Sequence, residues 1–159
     1  FNDIDKKINR IISNVTSKRS MQRLANQAAE RIRVRTRLGS GVKQSGAKKE
    51  KLKRFKDEYK KVRQRAKKKG KLSGSTTVGK SNLTFTGKFL DAITGIATRV
   101  AEAFIVLKEN RTDGALNKDI LQGQADQGRK FFHLTKTEIK GLTRTVRVQI
   151  LKQIDALFK

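Results

Sequence analysis

Between Lys43 and Lys71 the chain carries 15 lysines and arginines against three acids, a net +12 within 29 residues. A segment this charged cannot be buried as a whole, because an unpaired charge removed from water costs several kcal/mol. The core must therefore come mainly from the sequence on either side. The basic stretch is nevertheless patterned, since Leu52, Phe55, Tyr59, Val62 and Ala66 recur every three or four residues. That spacing predicts an amphipathic helix with a narrow apolar stripe, ending at Gly70. We expect a projecting basic helical arm over 43–72 and a flexible loop over 73–82, both within a single domain spanning 1–159.

The flanks supply the core. Ile4, Ile8, Ile11, Ile12 and Val15, then Met21, Leu24, Ala28 and Ile32, fall at helical spacing. They predict one long amphipathic helix, or two with a break near Ser17–Ser20, stopped at Leu38-Gly39 where glycine accepts left-handed backbone. Phe85 to Ile93 reads as a short turn feeding a helical turn or strand. Ile93–Val100 and Ala103–Leu107 are short runs rich in β-branched residues and suit an antiparallel pair, with 110–114 as the following turn. Leu116–Ala125 reads as a short helix and 129–134 as a strand. Thr135 and Glu138 have the spacing of a capping box, with Leu134 and Ile139 placed as a hydrophobic staple. Beyond them Ile139, Leu142, Val146, Ile150, Ile154 and Leu157 mark a closing helix. The order predicts an α+β fold, with N- and C-terminal amphipathic helices packed on a small, mostly antiparallel sheet.

Charge narrows the partners. The 39 Lys and Arg outnumber 14 Asp and Glu, giving +25 overall, which favours nucleic acid, acidic protein surfaces or a crowded assembly. Cysteine is absent, so disulfides, thiolate nucleophiles and Cys-based metal sites are excluded. Proline is absent too, leaving turns to glycine, Asn, Asp and Ser. No apolar run is long enough to span a membrane.

Residues 74–81, GSTTVGKS, fit the phosphate-loop pattern G-x-x-x-x-G-K-[ST]. A working phosphate loop joins a buried strand to a helix start, but 63–73 is too basic for a core strand and Asn82, Thr84, Thr86 and Gly87 favour turns. We read the stretch as a hinge between basic arm and core. The lone His133 lacks co-ligands, and the pairs Asp113/Asp119 and Glu102/Glu109 read as scattered surface acids. No catalytic, cofactor-binding or metal-ligating residue is assigned, and the chain reads as a non-enzyme.

Charge alone supports nonspecific phosphate binding. Aromatic residues fall at core-like positions such as Phe55, Phe89 and Phe104 rather than interleaving with the charges, which argues against a base-stacking platform. Residues expected to touch a partner or DNA are Lys48, Lys49, Lys51, Lys53, Arg54, Lys60, Lys61, Arg63, Arg65, Lys67, Lys68 and Lys69.

Three segments carry a family resemblance. They are Ile32-Arg33-Val34-Arg35-Thr36-Arg37-Leu38-Gly39 with Leu52, Tyr59 and Arg63 after it, residues 80–93 (KSNLTFTGKFLDAI), and residues 128–135 (GRKFFHLT) ahead of an amphipathic helix. Together they resemble the tail-completion and head–tail joining (neck) proteins of tailed bacteriophages, a family related to virion morphogenesis proteins. The resemblance runs from about Ile32 onward. It departs near Phe55 and Lys130, where many relatives carry proline and this chain has none. It implies a structural virion protein, made in the host cytoplasm, that assembles as a homo-oligomeric ring at the head–tail junction. Such a ring joins or completes the tail and continues the DNA channel. Implied partners are portal or adaptor proteins, tail terminator or tube proteins, and genomic DNA in the lumen; no cofactor is implied. Leu83, Thr84, Thr86, Gly87, Arg129, Phe131 and Phe132 would then serve assembly. The alternative is a nonspecific nucleic-acid-binding basic protein.

Overall fold

The computed structural model describes residues 2–42, 48–52, 54–71, 88–109, 116–128 and 130–157. Two helices open the chain, α1 (Asn2–Thr16) and α2 (Lys18–Arg37). They are separate because Ser17 leaves helical geometry and its Oγ accepts the Ser20 N–H at 3.3 Å, an N-cap that starts α2 afresh. At the far end Gly39 adopts φ +78°, and its N–H donates to the Thr36 carbonyl, which stops the helix where Leu38-Gly39 predicts.

Strand β1 (Ser40–Val42) pairs antiparallel with β2 (Lys49–Lys51). Helix α3 (Asp57–Lys68) follows, then the single turn α4 (Lys88–Asp91). Strands β3 (Ile93–Arg99) and β4 (Glu102–Leu107) form an antiparallel hairpin in which Gly95 faces Ile105 and Ile96 faces Phe104. Helices α5 (Asn117–Asp126) and α6 (Lys136–Leu157) complete an α+β fold with two separate two-stranded sheets.

The apolar face of α2 lies on the hairpin. Ala25, Ala28, Ala29 and Ile32 are buried, and the small side chains of the three alanines let backbone meet backbone. A Cβ built on Gly95 would stand 2.2 Å from the Ala25 carbonyl carbon, so only glycine fits there. Ala29, Ile32, Leu52, Phe89, Leu90, Ile93 and Phe131 form the central cluster. Phe89 and Phe131 meet edge to face with centroids 5.6 Å apart. Helix α6 runs back along α2, from Glu138 beside Arg35 to Gln153, whose side chain accepts from Asn14 of α1 at 3.2 Å.

The capping box forms as expected. The Thr135 N–H donates to Glu138 Oε2 at 2.7 Å, and the Glu138 N–H donates to Thr135 Oγ1 at 3.2 Å. Leu134 packs against the core cluster, whereas Ile139 is exposed.

Three expectations are corrected. The basic stretch is not helical from residue 43, since Lys49–Lys51 pair as a strand and the Leu52 N–H donates to the Gly39 carbonyl at 2.9 Å. Leu52 and Phe55 are consequently core residues, and the helical repeat begins only at Asp57. Residues 130–134 are not a strand, because their carbonyls are taken elsewhere. Lys130 O accepts from Val42 N–H at 2.7 Å, while Phe131 O and His133 O both accept from Arg35. Phe104 is not a core residue but is 49% exposed on the outer face of the hairpin. The turn expected over 110–114 and the loop over 73–82 lie outside the described residues.

Candidate assembly and polyanion-contact surface

Helix α3 starts with Asp57 and Glu58 and ends with Arg65, Lys67 and Lys68, an order that suits the helix dipole at both ends. Lys61, Arg65 and Lys68 are exposed and spaced i, i+4 and i+7, so they form one outward row. Lys67 and Lys69 are exposed beside that row. Lys60 is tied to Asp57 at 2.6 Å, and this hydrogen bond, with the lysine's charge, holds the Asp57 carboxyl below the usual carboxylate range. Lys48, Lys49, Lys51 and Arg54 are exposed on β2 and its flanks.

Arg63 differs from the rest. It is 1% exposed, with its guanidinium carbon 4.6 Å from the Phe55 ring centroid and 5.9 Å from that of Tyr59. The two rings meet edge to face at 5.0 Å. The arginine thus anchors the inner face of α3 through cation–π contacts, and its expected role as a partner contact is corrected to one in packing. Its charge placed it among its basic neighbours; its position one turn beyond Tyr59 was the signal that it shares the apolar face. Lys53 lies outside the described residues.

Of the expected assembly residues, Leu83, Thr84, Thr86, Gly87 and Arg129 lie outside the described residues. Phe131 is 1% exposed in the central cluster, and Phe132 packs half-buried against it. Phe131 therefore works inside the fold rather than on its surface. Its segment is held by a hub absent from the sequence reading. Arg35, 2% exposed on α2, donates to Glu138 Oε2, to Phe131 O at 2.6 Å and to His133 O at 2.7 Å. Arg31 adds a bond to the Glu138 carbonyl at 3.0 Å. Burial pulls the Arg35 pKa below its ordinary value, while the Glu138 charge and hydrogen bond pull it back up.

Among the described residues no three His, Asp or Glu side chains converge as a metal site, and no helix is long and apolar enough to cross a membrane. Residues 74–81 are not described. His133 is exposed. Glu109 is engaged structurally, accepting the N–H groups of Asn117 and Lys118 at the start of α5 at 2.9 and 3.1 Å. Glu102 holds Arg99 and Thr98 at the hairpin tip, and those hydrogen bonds, Arg99's foremost, lower its carboxyl pKa. A cavity between α1, α2 and α6, lined by Val15, Met21, Leu24 and Val146 among others, has room for about one water.

Apolar exposure is more informative. Ile4, Ile8 and Ile12 on α1 are 56%, 48% and 54% exposed, along the stripe whose inner end, Val15, is buried. Ile96 and Phe104 stand exposed side by side on the hairpin, and Val148 and Leu151 on α6. Large apolar side chains thus stand exposed on α1, on the β3–β4 hairpin and on α6. Comparison with protein-family profiles, curated proteins and solved structures returns no match.

Proposed function

We propose that the chain is a non-enzymatic assembly subunit of the head–tail junction of a tailed phage, working in a homo-oligomeric ring that joins or completes the tail and continues the DNA channel. The observation that carries the assembly part is the pair of contrasting surfaces. Apolar side chains stand exposed on α1, β3–β4 and α6, and an outward row of Lys61, Arg65 and Lys68 stands on α3. Two such surfaces suit a subunit whose exterior is completed by neighbours on one side and by an anionic partner on another. The phage part rests on the resemblance in residues 32–39, 80–93 and 128–135.

Within this reading the α3 row meets an acidic neighbouring subunit or DNA in the lumen. Replacing Lys61, Arg65, Lys67 and Lys68 with glutamine tests it. The variant should keep the wild-type far-UV circular dichroism and unfolding midpoint, yet fail to restore infectious particles in a phage lacking the wild-type chain. Normal particle yield would refute the role given to α3.

The alternative, a nonspecific nucleic-acid-binding protein, is favoured by the same row, whose spacing lets three cations face one anionic surface. It requires tight DNA binding by the isolated chain, with affinity falling steeply as salt rises. Binding that stays flat across a salt titration removes it.

A further inference from the structure

Both described sheets have two strands, so each strand has an open edge, and unpaired edges are normally blunted in soluble proteins. Three of the four are. The outward Val42 N–H of β1 is taken by the Lys130 carbonyl at 2.7 Å. Strand β2 presents Lys49 and Lys51, both exposed. On β3 the side-chain amide of Gln22 imitates a neighbouring strand, donating to Gly95 O at 2.6 Å and accepting from Ala97 N–H at 2.9 Å.

Strand β4 has no such device. The Lys108 N–H donates to Ala92 O, which fixes the ladder parity, so the N–H and C=O groups of Ala103, Ile105 and Leu107 point to the outer edge. Among the described residues nothing pairs with them. Five consecutive apolar residues, Ala103 to Leu107, form this edge, and the whole hairpin, 93–107, has one Arg and one Glu and so no net charge. On a chain of +25 it is a surface two copies can share with little repulsion.

The sequence Glu102-Ala103-Phe104-Ile105-Val106-Leu107-Lys108 is also self-complementary when read antiparallel. With Ile105 on a two-fold axis, Ala103 faces the second copy's Leu107 in a hydrogen-bonded pair. Phe104 faces its Val106 on the outer surface, where non-hydrogen-bonded pairs stand closest. Glu102 faces Lys108 at both ends. Shifting the axis by one residue either way keeps the ladder parity but sets Glu102 opposite Val106 or Asn110.

We propose that β4 is a strand-addition edge for a second copy of this chain, forming a two-fold β4–β4 pair and a continuous four-stranded antiparallel sheet. The contact is isologous and closes at two copies. A ring needs a further, head-to-tail contact, so the dimer is the form in which this edge is covered before the chain joins a larger assembly. The inference stands on the hairpin and not on the neck reading.

Sedimentation equilibrium of the purified chain should give twice the 18.0 kDa chain mass. Glu102→Lys sets like charges opposite at two symmetric places and should weaken the dimer about tenfold. Adding Lys108→Glu should restore it, although that second change cannot repair the Arg99 contact that Glu102 also makes. The chain has no cysteine, so Phe104→Cys mixed with Val106→Cys should crosslink on oxidation, whereas Phe104→Cys alone should not. Ala103→Pro, which removes one outward N–H and no ladder bond within the hairpin, should yield monomers with unchanged circular dichroism. A wild-type monomer at several hundred micromolar would overturn the proposal. So would a dimer indifferent to both the charge reversal and the proline, or monomers whose β4 edge pairs with a different protein. None of these results bears on where the chain sits in a particle.

Discussion

Removing the Glu138 carboxylate should be among the most damaging single changes to this fold. Glu138→Ala strips Arg35 of its counter-ion at a site only 2% exposed and opens the capping box at the start of α6. Breaking a buried pair by deleting one partner typically costs about 3–5 kcal/mol, and loss of the Thr135 N–H bond to the carboxylate about 1 kcal/mol. Arg35 keeps two carbonyl acceptors, Phe131 O and His133 O, so its charge is not left bare. The terms also overlap, because one carboxylate oxygen serves both Arg35 and Thr135. We therefore expect about 3 kcal/mol, a large share of the roughly 5–15 kcal/mol available to a domain. In urea unfolding, with a slope near 2 kcal/mol per molar, the midpoint should fall by about 1.5 M. Replacing both partners, Arg35→Met with Glu138→Met, should recover much of the loss, because the penalty comes from the stranded charge. A Glu138→Ala midpoint within about 0.3 M of wild type would refute the hub, since a surface change costs no more than that.

Other outcomes follow from the same geometry. Gly95→Ala drives a methyl into the Ala25 backbone at 2.2 Å and should cost about 1–3 kcal/mol or more, read as a lowered unfolding midpoint. Gln22→Ala uncovers Gly95 O and Ala97 N–H on β3, and thioflavin binding on mild heating should rise relative to wild type. Arg63→Ala should destabilise the fold while Arg65→Ala, two residues on and on the opposite, exposed side of α3, leaves the midpoint within about 0.5 kcal/mol. Asp57 and Glu102 have folded pKa values below their unfolded ones, so their contributions are present above the ordinary carboxylate range and are lost as pH falls through the folded values. Thermal midpoints should be flat near neutrality and fall in acid; in acid, Asp57→Asn should fall less than wild type.

The helices were legible because their signals are local. Gly39 as a stop and the Thr135–Glu138 box each act within a few residues, and the β-branched runs marked both strands of the hairpin. What escaped depends on residues far apart in sequence. The pairing of Ser40–Val42 with Lys49–Lys51 is only three residues long and its second strand alternates Lys-Glu-Lys, so charge hid it. Residues 130–134 have strand-like composition, but Arg35, about a hundred positions earlier, claims the carbonyls that a ladder would need. Arg63 and Phe104 exchanged their expected places for a related reason. Residue type suggests a side for each, but the packing of α3 over Phe55 and the α2-facing side of the hairpin decide it. Of the candidate surface, the exposed basic row could be read from periodicity, whereas the contrast between blocked and open strand edges needed the three-dimensional ladder.

Electron microscopy of the phage particles, with the chain carrying a small terminal label and averaging focused on the head–tail junction, tests the proposed function most directly. The account predicts label and rotationally symmetric density at the junction, with several copies of this α+β fold around the DNA channel. Label in the capsid interior, at the tail tip or absent from the particle would contradict it.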